Sequence, residues 1–350
     1  MLQDDKKKGI TINDTLVIHR RTPILSSEAK ILQTLEKMAN KPLKKVETIK
    51  WDTVGFQEQD NRIIGLGLYQ CKLKFLPDSI CNLSKLEFLY LHNNQLTELP
   101  TCLGNLSNLK ELGVRLNNLE TLPVSIGQLH NLKKLILYGN KLISVPDSFG
   151  NLTNLELLYL HKNQLRSLPT SFGNLTNLKT ELSLNHNLLT SLPESIGNLQ
   201  KLRKLWLHHN QLTSLPKSIG QLKIEKLCFT HNRLTSLPET IGNAEIKIFL
   251  GLGHNRLTEL PKTIGNLTKL QKLRVNNNQL ASLPKSIGNM ASLWQLWIDN
   301  NPMTSLPATI GNLSNLKDLH LQRDQIENNP KIIHTLEQHG CKVEIKEKSL

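Results

Sequence analysis

The chain is organised around one stretch, Leu189–Pro216, which reads LTSLPESIGNLQKLRKLWLHHNQLTSLP. It begins and ends on the same letters, LTSLP, and Pro193 and Pro216 are 23 residues apart. That distance recurs along the chain. Prolines stand at positions 77, 100, 123, 146, 169, 193, 216, 238, 261, 284, 307 and 330. A fixed period of this length is the mark of a solenoid of stacked repeats. We therefore predict about twelve copies of one unit.

Each unit predicts a short strand followed by an irregular return. In the quoted copy, Leu205 and Leu207 flank Trp206, an alternation that indicates a strand with one buried face. Asn210 ends this strand, and its side-chain amide can donate to backbone carbonyl groups of a neighbouring repeat. Pro216 cannot join a hydrogen-bond ladder, so the chain bends round the outside. Because one copy cannot bury enough apolar surface alone, stability depends on the stacking of copies.

The slot of Asn210 holds asparagine in ten repeats, which predicts a structural ladder of buried amides. Cys71 takes the slot in the first repeat and Asp324 takes it in the last. The ladder residues are Asn94, Asn117, Asn140, Asn163, Asn187, Asn210, Asn232, Asn255, Asn278 and Asn301.

The full pattern, LxxLxLxxNxLxxLPxxIGxL, resembles the leucine-rich repeat in its typical 23-residue form. The SLPxSIGNL motif is similar to that of the intracellular Ras-group-related repeats and of many bacterial and archaeal ones. The resemblance covers roughly residues 62–330. It implies an α/β leucine-rich-repeat solenoid, a curved horseshoe with a parallel concave β-sheet, capped at both ends. It says less about function, because this fold hosts many partners.

The segments outside the repeats predict two caps and a tail. The expected organisation is a flexible N-terminal tail (1–22), an N-terminal helical cap (23–61), the solenoid (62–330) and a C-terminal cap (331–350). In the N-terminal cap, Ser27 is expected to begin a helix that ends near Asn40, and Trp51 is interpreted as a packing anchor. In the tail, Lys6–Lys8 could touch an acidic surface, although a solvated tail is favoured. Irregular spacing near residues 179, 222 and 247 predicts looser packing there.

Composition favours a cytoplasmic protein without catalysis. The five cysteines are odd in number and scattered, which is typical of reduced thiols. The sequence has neither a secretory h-region nor an 18-residue apolar run, so we expect no membrane contact. It also lacks a phosphate loop, a kinase motif set and a GxSxG elbow. We therefore expect no enzyme activity and no cofactor.

The outward strand positions carry the functional prediction. Two positions of each repeat face outward: the residue between the two strand leucines and the residue after the second leucine. Across the repeats, these two columns hold six of the eight Tyr and Trp residues of the chain. Strands favour aromatic residues, so incidental decoration explains part of this enrichment. Exposed rings beside arginine are typical of interface hot spots, and we predict a protein-binding concave face. The predicted partner-binding residues are Tyr90, His92, Tyr138, Tyr159, His161, Trp206, His208, Arg274 and Trp297.

Four successive repeats carry histidine just before the asparagine slot, at His186, His209, His231 and His254. At about 4.8 Å per repeat these side chains can form a ladder. A metal site needs converging ligands, and a straight row facing solvent does not supply them, so no metal site is predicted. Charging of this row as the pH falls is an alternative that stays open.

The charge distribution bears on the partner. Residues 201–290 carry 14 Lys and Arg against 4 Asp and Glu, which is +10 of the net +14. This excess favours an acidic partner. The resemblance to Ras-group-related repeats implies a small GTPase or a phosphatase assembly, and a role as a signalling scaffold or adaptor. The first alternative is a binder of nucleic acid or another polyanion through the basic half, although no nucleic-acid motif is present. The second is a secreted effector that binds a host protein.

Overall fold

The computed structural model describes residues 14–346, and these form an α/β solenoid. One fifteen-stranded sheet runs along it, and its strands follow one another in chain order from β3 to β17. Its described pairings are parallel, apart from the antiparallel pair β4–β5 at the N-terminal end. The predicted fold class is confirmed, because consecutive parallel strands at a fixed sequence period are what stacked repeats produce.

The elements occur in the following order. The N-terminal part contains β1 (Leu16–His19), β2 (Thr22–Leu25), α1 (Ser26–Ala39), β3 (Lys44–Lys45), β4 (Val54–Gln59) and β5 (Arg62–Leu68). The central strands are β6 (Phe88–Tyr90), β7 (Glu111–Gly113), β8 (Lys134–Ile136), β9 (Leu157–Tyr159), β10 (Glu181–Ser183), β11 (Lys204–Trp206), β12 (Lys223–Cys228), β13 (Glu245–Gly251), β14 (Lys272–Arg274), β15 (Gln295–Trp297) and β16 (Asp318–Gln322). The C-terminal part contains α2 (Arg323–Glu327), α3 (Pro330–Gln338) and β17 (Lys342–Lys346).

Short 3-10 helices lie on the side of the solenoid opposite the sheet. In the quoted repeat, Pro216 precedes the 3-10 helix Lys217–Gln221, and Ile219 in that helix is fully buried. Gly220 makes the close stacking of these turns possible. A Cβ at this position would lie 2.1 Å from the carbonyl oxygen of Thr240 in the next repeat, so any larger residue would push the two repeats apart.

The asparagine ladder has the predicted bonds. The Leu189 N–H donates to Asn210 Oδ1 at 3.0 Å. Asn210 Nδ2 in turn donates to the carbonyl oxygens of Leu184 and Leu207, both at 3.0 Å. The other nine ladder asparagines repeat this pattern and are at most 9% exposed. Each amide therefore ties a strand to the preceding repeat while satisfying three buried backbone groups.

The last rung of the ladder differs from the prediction. Asp324 lies in α2, and its neighbour Gln325 donates from Nε2 to the Met303 carbonyl at 3.2 Å. Asn329 then accepts from the Leu306 N–H at 2.9 Å. Two amide side chains from the segment that follows β16 thus replace the single expected residue. The reason is that the chain turns into a helix here, which changes the direction of the side chains.

The N-terminal part is more ordered than predicted. Residues 1–13 of the expected flexible tail, including Lys6–Lys8, lie outside the described residues. The rest of that segment contains β1, which pairs antiparallel with β2. Ser27 lies inside α1 and does not cap it; its N–H donates to Asp14 Oδ1 at 3.0 Å instead. The described chain before the repeats therefore contains a hairpin and a helix, followed by the antiparallel β4–β5 pair.

Glu28 connects α1 to the first repeat. Its side chain is 1% exposed, pairs with Arg62 Nε at 2.8 Å and accepts from the Ile63 N–H at 2.7 Å. Since Ile63 lies in β5, this carboxylate fixes the helix against the first strand of the solenoid. A buried charge needs such partners to offset its loss of hydration.

The prediction of looser packing at the irregular repeats is wrong near residues 222 and 247. There β12 and β13 extend to six and seven residues, and they pair over most of that length with one register shift. Leu222, Ile224 and Ile246 are each 1% exposed. Near residue 179, Leu178 and Leu182 are fully buried. The changes in repeat length are absorbed by strand extension and by the loops, so the core stays closed.

The expectation of five reduced thiols is also wrong. Cys81 and Cys102 form a disulfide that joins the outer turns of two neighbouring repeats, with Cα atoms 5.9 Å apart. Cys71, Cys228 and Cys341 are free and buried. Sequence spacing hides the pair, because residues 21 positions apart become neighbours only once the repeats stack. Within residues 14–346, no helix has the length and apolar character that a membrane span requires.

Replacing Asn210 with alanine tests the ladder. Asn210→Ala leaves the Leu189 N–H and two carbonyl groups without buried partners, so we expect it to lower the free energy of unfolding by about 3 kcal/mol. The control is Asn154→Ala. Asn154 is exposed and donates one bond, to the His130 carbonyl, so water can replace it at a cost below about 1 kcal/mol. Urea unfolding checks both values, and equal losses would contradict the structural role of the ladder.

Candidate functional site

The outward side chains of β6–β16, together with the residues that directly follow these strands, form the face that we call the concave face. Strand register places residues of successive repeats side by side, so that Trp206 pairs with Cys228 and Arg274 pairs with Trp297. The inward side chains are leucines or similar apolar residues that fill the core. The hydrophobic core therefore does not dictate which side chains the concave face carries.

Most of the predicted partner-binding residues reach this surface. Arg274 is exposed, whereas the rings are partly buried among their neighbours. The half-buried residues are Tyr138, Tyr159, His161, Trp206, His208 and Trp297.

His92 is a correction, because the structure buries it completely. Its ring lies over Gly113, where a Cβ would come within 2.3 Å of His92 Cε1. Its Nδ1 accepts from the Arg115 N–H at 3.1 Å. Burial and the nearby Arg115 charge lower the pKa of His92 to about 3, so the ring is neutral at physiological pH. It can hold the next repeat in position, but it has no surface to offer a partner.

Tyr90 is buried beside His92. It is 9% exposed, and its ring stacks on His92 at a centroid distance of 5.5 Å. Its hydroxyl donates to the Glu111 carboxylate. Burial, followed by this hydrogen bond, raises the pKa of Tyr90. The expectation that Tyr90 presents a large ring to solvent is therefore wrong. The glycine in the neighbouring repeat lets both rings fold down onto the sheet, an interaction between repeats that a strand pattern does not reveal.

A stack of four side chains occupies the N-terminal half of the concave face. The Arg115 guanidinium lies 4.6 Å from the Trp51 ring centroid and 5.6 Å from that of Tyr138. Tyr138 in turn stacks on His161 at 4.4 Å. Arg115 Nη1 also donates to the Tyr138 hydroxyl at 2.6 Å. Trp51 is 52% exposed, so its interpretation as a packing anchor within the cap is wrong. It packs at the surface, over the third repeat.

A second stack of the same order occupies the C-terminal half. The Arg274 guanidinium lies 4.2 Å from the Trp297 ring centroid and 5.6 Å from that of Phe249. Trp297 stacks on His320 at 4.9 Å. Each stack thus holds one guanidinium between two rings and ends on an imidazole. In both, the arginine, the second ring and the histidine are 23 residues apart, so the repeat itself builds the stack.

A third outward column was missed at the sequence level. It is the residue before the first strand leucine, and it holds lysine in four of the repeats, at Lys134, Lys204, Lys226 and Lys272. Lys272 Nζ lies 4.3 Å from the ring centroid of Trp294, a residue that sequence reasoning also left out. The repeat register that defines the other two columns also predicts this third column.

Acidic and basic groups balance in the N-terminal half. Lys110, Lys134 and Lys179 each place Nζ 2.7 Å from a glutamate oxygen of the preceding repeat. The acids are Glu87, Glu111 and Glu156. Among residues 14–346, the structure gives no ion pair to Lys204, Lys226, Lys272 or Arg274. These four basic side chains, on β11, β12 and β14, therefore lack the ion pairs that the lysines of the N-terminal half have.

The predicted histidine ladder exists. His186, His209, His231 and His254 are exposed and stack with centroids 4.4, 4.3 and 4.1 Å apart. Asn277 extends the row through a 3.3 Å contact with His254 Nε2. Burial and the charges of neighbouring side chains lower the pKa of His186 and His231. In the part of the chain that the structure covers, no group of three or more His, Cys, Asp or Glu side chains could hold a metal ion.

Two family models match the chain. The description "leucine-rich repeat region" covers residues 62–182 and 248–339, and "leucine rich repeat" covers residues 201–222. The chain belongs to the leucine-rich repeat family. No curated protein matches the sequence.

Solved structures agree with this assignment. A leucine-rich repeat protein of Leptospira interrogans is 32% identical over 80% of this chain and 83% of that one, with a TM-score of 0.50. The PEPR1–AtPEP1 complex matches at 27% identity and a TM-score of 0.66, over 83% of this chain and 45% of that one. The octameric complex of latrophilin 3, Unc5D and FLRT2 matches at 25% identity and a TM-score of 0.56, over 75% and 82%.

The acid sensitivity of the concave face tests the histidine environment. Burial, together with the charges of His186, His209 and other neighbouring histidines, lowers the pKa of His208 to about 4. Its unfolded-state pKa is near 6.5, so the unfolded chain binds more protons between these values. We expect the free energy of unfolding to be highest above about pH 6.5 and to fall as the pH drops toward 4.

The variant His208→Asn takes the residue found at the same place in two other repeats, Asn185 and Asn276. Between pH 7 and pH 5 we expect its loss of unfolding free energy to be smaller than that of the wild type, by on the order of 1 kcal/mol. Urea unfolding at the two pH values measures the difference. Identical pH profiles would contradict the assigned environment of His208.

Proposed function

We propose that this chain is a non-catalytic protein-binding module that holds its partner on the concave face. The observation that carries the proposal is the placement of Trp206, Trp297, Tyr138 and Tyr159. These rings are half-buried on the outer side of a sheet whose core is already closed by leucine. Large rings with one accessible edge are the side chains that dominate binding energy at protein interfaces. Tyr138 also packs against Arg115 and His161, but folding alone gives no reason to place Trp206, Trp297 and Tyr159 here.

The comparisons support a binding role. Solved neighbours at 25% identity or above include the PEPR1–AtPEP1 complex and the complex of latrophilin 3, Unc5D and FLRT2. Both are assemblies with other molecules. The resemblance to Ras-group-related repeats makes a small GTPase or a phosphatase assembly the first partner classes to test, with this chain as a scaffold or adaptor. Nothing in the fold itself selects between them.

The compartment stays a prediction. A cytoplasmic location was expected, whereas the Cys81–Cys102 disulfide favours an oxidising compartment, because thiols in the cytosol are kept reduced. This bond is the specific observation that supports the alternative of an exported effector that binds a host protein. Both alternatives use the same concave face, so the location changes the set of available partners and leaves the binding surface unchanged.

The double variant Trp206→Ala/Trp297→Ala tests the proposed face. The immobilised wild-type chain is used to capture a partner from a cell lysate at high salt, and the partner is identified by mass spectrometry. We expect the double variant to weaken capture at least about tenfold, because each ring is placed to contribute as an interface hot spot.

The matched control changes the opposite side of the solenoid. Lys217→Ala/Lys262→Ala alters two outer 3-10 turns and should leave capture unchanged. Thermal unfolding followed by circular dichroism shows that all variants remain folded. A double tryptophan variant that captures the partner as well as the wild type does would place the binding surface elsewhere.

A further inference from the structure

The C-terminal half of the concave face carries a guanidinium group whose orientation is fixed and whose hydrogen-bond donors are free. Arg274 is exposed and lies between the rings of Phe249 and Trp297. Trp297 cannot move away easily, because its other side stacks on His320, with 16° between the ring planes. Among residues 14–346 the structure gives the Arg274 side chain neither a hydrogen bond nor an ion pair. A guanidinium held in this way is preorganised for paired hydrogen bonds to one carboxylate.

Three lysines add charge beside it. Lys204 and Lys226 are direct neighbours in the register of β11 and β12, and Lys272 lies on the strand of Arg274. Like charges directly opposite each other on a sheet destabilise it. The glutamates of the N-terminal half form ion pairs with their lysines, whereas within the described part of the chain Lys204, Lys226 and Lys272 form none, although Glu181 lies opposite Lys204 in the register. A negatively charged partner would offset the repulsion among these basic side chains, so this arrangement favours an acidic partner.

Carboxylate groups fit this surface better than nucleic acid does. Single-stranded nucleic acid binds cationic grooves by stacking its bases on aromatic rings. Here the ring faces are already used: Trp297 is covered by Arg274 and His320, and the Phe249 ring lies against Gly251 and Arg274. Beside Arg274, these two rings therefore position a guanidinium and leave no stacking platform for a base.

The spacing sets the length of the ligand. From Lys204 on β11 to Arg274 on β14 there are three strand steps, or about 14 Å at 4.8 Å per step. An extended polypeptide covers this distance in about four residues. A short run with two acidic positions about four residues apart can thus reach both ends of the patch.

We propose that Lys204, Lys226, Lys272 and Arg274 form a binding site for an extended acidic segment of a partner protein. In this site Arg274 donates paired hydrogen bonds to one carboxylate. This inference rests on the proposed function, since it names the chemistry of the partner that the concave face binds. Arg115, which lies in the same kind of stack, has a different role. It is half-buried, donates to Tyr138 and lies where acids and bases balance, so its stack is structural.

The test uses three fluorescein-labelled probes: the peptide GSEEGSEEGS, the peptide GSQQGSQQGS, and a 20-nucleotide oligo-dT. Fluorescence anisotropy with the full chain measures their dissociation constants at fixed salt. We expect the glutamate peptide to bind at least about tenfold more tightly than the glutamine peptide, because hydrogen bonds to charged groups carry the difference. Failure of the glutamate peptide to bind, or equal binding of the two peptides, overturns the proposal. Tighter binding of oligo-dT than of the glutamate peptide overturns it in favour of a polyanion site.

Variants locate the site. Arg274→Gln should lower the affinity for the glutamate peptide at least about tenfold. Lys226→Gln leaves the stack intact and should lower this affinity about threefold. Arg115→Gln is the matched control and should change affinity less than twofold. Equal effects of Arg115→Gln and Arg274→Gln contradict the assignment, as does an unchanged affinity of Lys226→Gln.

The inference and the proposed function fail separately. If Trp206→Ala releases a captured partner that Arg274→Gln still holds, the concave face binds protein but the acidic-segment site is wrong. If neither variant releases the partner, the proposed function is wrong as well.

Discussion

The stacking of the repeats depends on the buried asparagine that follows ten of the strands. Its amide bonds both to its own strand and to the preceding repeat, as Asn210 does with Leu207, Leu184 and Leu189. Because these groups are buried, a missing partner would cost more than the bond itself contributes. The ladder therefore fixes the register of neighbouring repeats. Where the ladder ends, Gln325 and Asn329, which follow β16, supply the amides that a further repeat would have provided.

Fixed register also explains how the concave face is built. A side chain in one repeat meets the side chain 23 residues later at the spacing of a sheet, so contacts between repeats can be repeated or varied one position at a time. The stacks of Arg115 with Tyr138 and of Arg274 with Trp297 arise in this way. They differ in their surroundings: Arg115 donates to Tyr138 in the first stack, whereas Arg274 of the second shares its strand with Lys272, and His320 at the far end pairs with Glu344. One scaffold thus carries a stack that is internally bonded and a stack that we propose for binding.

Features that recur in each repeat were predicted from the sequence, whereas contacts between residues of different repeats were not. The strands, the ten asparagines and the histidine row follow from one period, and all three are present. The burial of His92 depends on Gly113 in the next repeat, and the disulfide between Cys81 and Cys102 depends on turns that meet only after stacking. Trp51 lies before the first repeat, so no register could place its ring over Arg115. The lysine column follows from the same repeat register, because it lies directly before the first strand leucine. At the irregular repeats, sequence alone could not tell a longer loop from a longer strand.

The central claim is that this fold binds protein through the outer side of its sheet. Hydroxyl-radical footprinting of the chain with and without its captured partner measures this most directly, because oxidation of each aromatic side chain reports its own accessibility. The account predicts that the partner protects Trp206, Trp297 and Tyr159. Phe75 and Val124, which are exposed outside the strands, should keep their reactivity. Protection of Phe75 and Val124 together with unchanged oxidation of Trp206 and Trp297 would contradict it.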